Sequence, residues 1–253
     1  ASVVPADADG ERTARLALRR PDLYRPLLAL HRSPTDGTAT PTPRSVALGA
    51  AQWAEGASQL GTARPAAGEL LVLPELSGLP SGLPAAEISK RAEARDGAFE
   101  SALAAAAKAG SGWLVGSYPE RDGDKVYHTV VLAGPEGKVL ARYRATHLGA
   151  ATTAWAVAGD APTVVDTPLG RIGLALASEL QVPELGGLYG ALRADIVAAP
   201  AGLPEPLKVQ IDAKLFAVSD PPTGRADFFP YAAAKLNQLW VVSGGRRAGT
   251  ATA

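Results

Sequence analysis

Residues 172–185 read IGLALASELQVPEL. Ile172, Leu174 and Leu176 alternate with smaller residues, the period of a strand with one face in a core. Ser178 and Glu179 interrupt that run. Pro183 and Glu184 then open a helix, since proline suits the first helical turn. A strand that ends in a sharp turn before a helix is a common seat for a nucleophile, because the turn lifts one side chain off the end of the sheet. At this apex stand Ala177, which has no reactive atom, and Ser178, which has a hydroxyl.

On either side the chain alternates strands and helices. Upstream, PTVVDTPLGRIGLALA (162–177) reads as a hairpin closed through Pro168, Leu169 and Gly170. Downstream, a helix at 183–192 precedes ADIVAAPA (194–201), a buried strand. Further back, SVALGAAQW (45–53) and ELLVLPEL (69–76) read as buried strands, nearly continuous in apolar residues. Residues 85–109 are helical in propensity, split near Asp96 and Gly97. WLVGSYPE (113–120), VYHTVVLAG (126–134) and VLARYRATHL (139–148) are strands joined by turns. Toward the end come a helix at 205–220, a break at PPTGR, a helix at 226–236 and a last strand, LWVVSGG (239–245). This order predicts an α/β protein with a mixed sheet and helices on its faces.

Residues 1–44 differ. A basic, leucine-rich stretch at 12–31 is broken by Pro21 and Pro26 into short helical pieces. SPTDGTATPTPR (33–44) has a linker's composition. The stretch reads either as an arm for a partner chain or neighbouring domain, or as a tail packed on its own body. The expected organisation is an extension and linker at 1–44 and one domain at 45–253.

The 253 residues are 47% hydrophobic and 20% charged, enough to bury a sizeable core. Lys+Arg and Asp+Glu both number 25, so charge gives no case for nucleic acid. No window approaches the ~18 apolar residues of a membrane helix, and the first residues lack a basic-then-apolar signal pattern. No membrane insertion and a cytoplasmic location are expected. Without cysteine there is no disulfide, thiolate metal site or thiol nucleophile. His31, His128 and His147 have no metal-like spacing. GSGWLVG (110–116) opens a strand rather than a helix, so it cradles no phosphate. Neither a cofactor nor a metal is expected. Methionine is absent and Asn237 is the single asparagine, a pattern of GC-rich coding, of thermal adaptation or of engineering. Arg142 and Arg144 read either as an anion-binding pair or, as is commoner on a strand, as a solvated face, and the four tryptophans as core or interface.

Three residues stand where ligands bind in open α/β sheets, at strand ends: Glu75, Ala145 and Ala177. Their surroundings resemble the carbon–nitrogen hydrolase (nitrilase) superfamily of amidases, nitrilases and carbamoylases. The resemblance rests on six segments in the family's order: LVLPELSG, GKVLARYRATHL, AGDAPTVVDTPLGRIGL, LASELQVPEL, RADIVAAPA and YAAAKLNQLWVV. It implies a four-layer α-β-β-α sandwich. It also implies a Glu general base, a Lys that stabilises the oxyanion and a Cys nucleophile. The Glu position is Glu75. The Lys position is Ala145 and the Cys position is Ala177. The family's second acidic residue has no counterpart between Ala145 and Gly159, and the glutamate of its later helix falls at Leu236. Compared with the family, the chain also stops soon after LWVV; the expectation is either that the end is disordered or cut away, or that another chain covers the sheet edge.

The first expectation is therefore an inactive, nitrilase-like pseudoenzyme that serves as a structural or interaction subunit, with a protein partner or as a homo-oligomer. A second reading is a sensor that binds a small amide or carboxylate in the old pocket, with Glu75 as the ligand-binding anchor. A third is an amide (C–N) hydrolase, divergent through Ser178 or inactivated by engineering at Ala145 and Ala177.

Overall fold

A computed structural model describes residues 13, 16–28, 45–54, 60–202 and 228–247. The strands are β1 (Ala47–Ala50), β2 (Gln52–Ala54), β3 (Glu69–Val72), β4 (Trp113–Asp122), β5 (Lys125–Gly134), β6 (Lys138–Arg144), β7 (Thr163–Thr167), β8 (Gly170–Leu174), β9 (Ile196–Ala198), β10 (Trp240–Val242) and β11 (Gly245–Arg247). One sheet has the order β1-β3-β4-β5-β6; its first three strands are parallel, and hairpins add β5 and β6. The other has the order β10-β9-β8-β7, parallel apart from the β7–β8 hairpin. Strands β2 and β11 form a small parallel pair.

Side-chain alternation builds the layers. Leu70 and Val72 of β3 enter a core shared with Ile172, Leu174 and Ile196 of the second sheet. Leu73 turns the other way, against Phe99, Leu103 and Ala107 of the helix Ala98–Gly110. The spacing of Phe99, Leu103 and Ala107 keeps one helix stripe on the sheet, and each large apolar residue so buried contributes about 1.5–3 kcal/mol. Its start is tied down by Glu93, whose carboxylate accepts from the Phe99 amide at 2.8 Å. It ends where Ser111 takes a left-handed conformation, φ 59°. On the far sheet, Ala175, Val197 and Ala199 pack against the helices Pro183–Ala191 and Phe228–Asn237 through Leu185, Leu188 and Ala233. The result is helix, sheet, sheet, helix, the expected four-layer sandwich.

Three expectations change. The strand at 45–53 divides into β1 and β2, and three of the four β1 residues are exposed. It lies at the edge of its sheet, with a neighbour on one side only. LWVVSGG is not the last strand, because β11 follows and pairs with β2. Arg142 and Arg144 are not a solvated face. Arg142 donates to Glu100 and Asp96, and Arg144 to Glu120 and Asp122; Glu100 and Glu120 are buried. Trp240 is 71% exposed, whereas Trp53 and Trp113 are buried.

The helix expected at 205–220 and the break at 221–225 lie outside the described residues. Within 1–44, a 3-10 turn Pro21–Leu23 and a helix Arg25–Leu28 are the short pieces that two prolines dictate. They pack on the body of the chain. Arg20 donates to the carbonyls of Thr146 and Gly159, and Tyr24 is buried with its hydroxyl 2.9 Å from His147 Nε2. Among the described residues no helix is long and apolar enough to cross a membrane, and no group of three or more His, Asp or Glu is placed to hold a metal ion.

Candidate active site

The chain leaves β3 through Leu73, whose amide bonds Val115, and Pro74, and reaches Glu75. The Glu75 amide donates to the Ala201 carbonyl at 2.9 Å, which fixes it beside the exit of β9. The next residue, Leu76, has φ 49°, an uncommon conformation for a bulky non-glycine residue. Ser117 of β4 holds that turn: its Oγ accepts from the Leu76 amide at 2.8 Å, and its carbonyl accepts from the Ser77 amide at 3.1 Å. Backbone strain retained by such over-determination concentrates at working sites.

His128 of β5 stands behind Glu75. Its Nε2 is 3.1 Å from Ser117 Oγ and its Nδ1 is 3.7 Å from Glu75 Oε1. The ring is wholly buried and lies against Trp155. Burial pushes the imidazole down to about 4, against an opposing pull from the Glu179 charge. It is therefore neutral at pH 7, and its contact with Glu75 is not an ion pair.

Ala145 follows β6. Its amide donates to the His128 carbonyl at 2.8 Å and its methyl is buried in the core between the sheets. Ala177 opens the 3-10 turn Ala177–Gln181, its amide bonded to the Pro200 carbonyl at 3.0 Å. Glu75 and Ala177 thus grip adjacent carbonyls of one segment, and Ala145 is tied to the residue that faces Glu75. Backbone hydrogen bonds thus link the three strand ends. Ala177 faces the helix-side core, while Ser178 is exposed.

Glu179 is the knot between these strand ends. Its Oε1 accepts from the Thr146 and His147 amides at 2.8 and 2.9 Å and from the Tyr143 hydroxyl at 2.7 Å. Its Oε2 accepts from the Leu176 amide at 2.8 Å. Burial works to raise this carboxyl, but its donors outweigh that and hold it below the ordinary value. His147, tied to Tyr24 and to Thr146 Oγ1, belongs to the same knot.

Glu75 borders a cavity of about 140 Å³ whose walls include Leu83, Ile88, Gly202 and Arg246. Gly202 gives the carboxylate room, since a Cβ there would stand 3.1 Å from Glu75 Oε2. Arg246 is buried and donates to the Leu79 carbonyl at 2.7 Å. Burial pulls its guanidinium down from the usual value, and Glu75 pulls it back. Ala145, Ala177 and Ser178 are not among the cavity's walls. Sequence reasoning missed His128 and Arg246. His128 sits in an ordinary alternating strand, and Arg246 lies past the last strand expected; only the β2–β11 pairing brings it to Glu75.

Residues 40–213 match the family described as Carbon-nitrogen hydrolase. Omega-amidase NIT2 of Homo sapiens is 30% identical over 142 residues, 52% of this chain and 51% of that protein. The chloroplastic omega-amidase of Arabidopsis thaliana is 36% identical over 94 residues, 34% of this chain and 26% of that protein. The chain thus spans about half or less of the curated relatives it matches. Among solved structures, a cysteine-to-alanine mutant of the amidase from Nesterenkonia sp. AN1, in complex with butyramide, aligns with a TM-score of 0.59 and 23% identity, over 79% of this chain and 76% of that one. At that identity the likeness is one of fold. The two curated relatives correct the expectation of an inactive structural subunit or pseudoenzyme: they are named as omega-amidases, which are enzymes. The alanines at 145 and 177 had carried that expectation, but the same strand ends retain a carboxylate beside a cavity and a cation.

Proposed function

This chain belongs to the carbon–nitrogen hydrolase family, and on that premise we propose that it hydrolyses small aliphatic amides, with Glu75 as general base. The observation that carries the reading is the placing of Glu75: at a strand end, just before a strained turn, on a cavity that also holds Arg246. The cavity is well below the ~300–1,000 Å³ of pockets for drug-sized ligands, which suits a short amide. The amidase names of the relatives support the reaction class. A solved relative with alanine in place of a cysteine is described with butyramide, which supports a short amide as the ligand.

The attacking oxygen comes from water. The chain has no thiol, Ala177 has no reactive atom, and Ser178 lies outside the cavity walls. Glu75 takes a proton from water as its oxygen adds to the amide carbonyl. The Arg246 charge favours the oxyanion that develops. Glu75 then returns the proton to the leaving nitrogen, the C–N bond breaks, and a carboxylic acid and ammonia result. General-base catalysis of this kind contributes about 10²–10⁴-fold, so turnover is expected to be slow beside that of a thiol-dependent amidase.

Ammonia release from acetamide, propionamide and butyramide tests this. The expected result is turnover by the unaltered chain, loss to background in Glu75→Gln and retention in Ser178→Ala. Loss in Ser178→Ala reassigns the attack to that hydroxyl. No turnover by the unaltered chain on any amide removes the proposal.

A further inference from the structure

We infer that His128 is a positioning residue for Glu75: its Nδ1–H faces Glu75 Oε1 and sets the carboxylate so that Oε2 is presented on the Gly202 side of the cavity. The inference rests on Glu75 being the working base. It starts from donors and acceptors. The Leu76 amide already donates to Ser117 Oγ, so the serine's own proton is available for His128 Nε2, 3.1 Å away. Nε2 then accepts, and the single proton of a neutral imidazole sits on Nδ1. The opposite tautomer would aim a nitrogen lone pair at a carboxylate oxygen.

Nδ1 is wholly buried and has no hydrogen-bond partner among the described residues. A buried donor without a partner is costly and calls for a reason. Glu75 Oε1 lies 3.7 Å from it. That is longer than a hydrogen bond by roughly 0.7 Å, and catalytic hydrogen bonds are often long before substrate binds and tighten afterwards. The imidazole has no slack of its own. Trp155 backs its ring, Ser117 holds Nε2, and its carbonyl is bonded to Ala145. The movement therefore falls to the Glu75 side chain. Closing the contact takes up Oε1 and keeps Oε2 on the Gly202 side of the cavity.

Two measurements test this. Long-range ¹H–¹⁵N spectra of protein labelled at its three histidines report the tautomer without any need for activity. The expected result is Nδ1–H at His128; an Nε2–H tautomer overturns the inference. The second measurement compares amide turnover in two isosteres. Asparagine places its NH₂ near the Nδ1 position, whereas glutamine places its own near Nε2. His128→Asn is expected to keep kcat within about threefold. His128→Gln is expected to lose on the order of 10–100-fold in kcat at unchanged KM, with both variants folded by circular dichroism. Equal losses, or no loss in His128→Gln, overturn it. If the unaltered chain hydrolyses no amide, the proposed function fails, and the tautomer still decides on the pairing.

Discussion

Two carboxylates stand at neighbouring strand ends and are built in opposite ways. Glu179 is wholly enclosed, with three backbone amides and a tyrosine hydroxyl donating to it. Glu75 is half-buried, with a cavity beside one oxygen and an imidazole held 3.7 Å from the other. A carboxylate whose lone pairs are satisfied by fixed donors holds structure together and has nothing left to give a substrate. One that borders a cavity can meet a substrate there and is suited to proton transfer. The contrast separates the acid that organises the turn from the acid that works beside it.

The largest expected effect falls on the enclosed side. Glu179→Ala leaves buried donors from two loops and from strand β6 without an acceptor and is expected to cost on the order of 3–5 kcal/mol, read as a lower midpoint in urea unfolding. A loss below about 1 kcal/mol would break the contrast.

Acid unfolding sharpens it. The Glu179 carboxyl is held below its unfolded value, so its contribution is complete above pH ~4.5 and is lost as pH falls through the folded value. His128 titrates near 6.5 when unfolded and is pushed down to about 4 when folded. The unfolded chain takes up that proton first, so stability falls between pH 6.5 and 4, by up to roughly 3 kcal/mol. Unfolding free energies over this window are expected to flatten in His128→Asn. An unchanged slope would mean that the imidazole is not buried neutral. The smallest effect is expected at the arm: Tyr24→Phe removes the hydroxyl between the Arg20 amide and His147 and should cost about 1 kcal/mol in the same assay.

What was legible in the sequence follows from what local pattern encodes. The alternation of Ile172, Leu174 and Leu176 and the turn to Pro183 place the second sheet's strand end correctly, and the position of Glu75 just past a strand is legible because ELLVLP is nearly continuous in apolar residues. Partnerships across the fold are not written locally. Arg142 and Arg144 alternate like any exposed strand residues, and only packing of the helix Ala98–Gly110 and the β4–β5 hairpin brings Glu100 and Glu120 to them. The exposure of β1 depends on its position at a sheet edge, which no residue in it announces. The pairing of His128 with Glu75 needs β5 to be registered on β4, so that Ser117 meets the ring.

Glu75→Gln, assayed for amide hydrolysis and for unfolding free energy on the same preparation, tests the contrast most directly. The expected result is a fall in kcat/KM on the order of 100-fold or more with stability within about 0.5 kcal/mol of the unaltered chain. Unchanged hydrolysis, or a stability loss as large as that of Glu179→Ala, would contradict it.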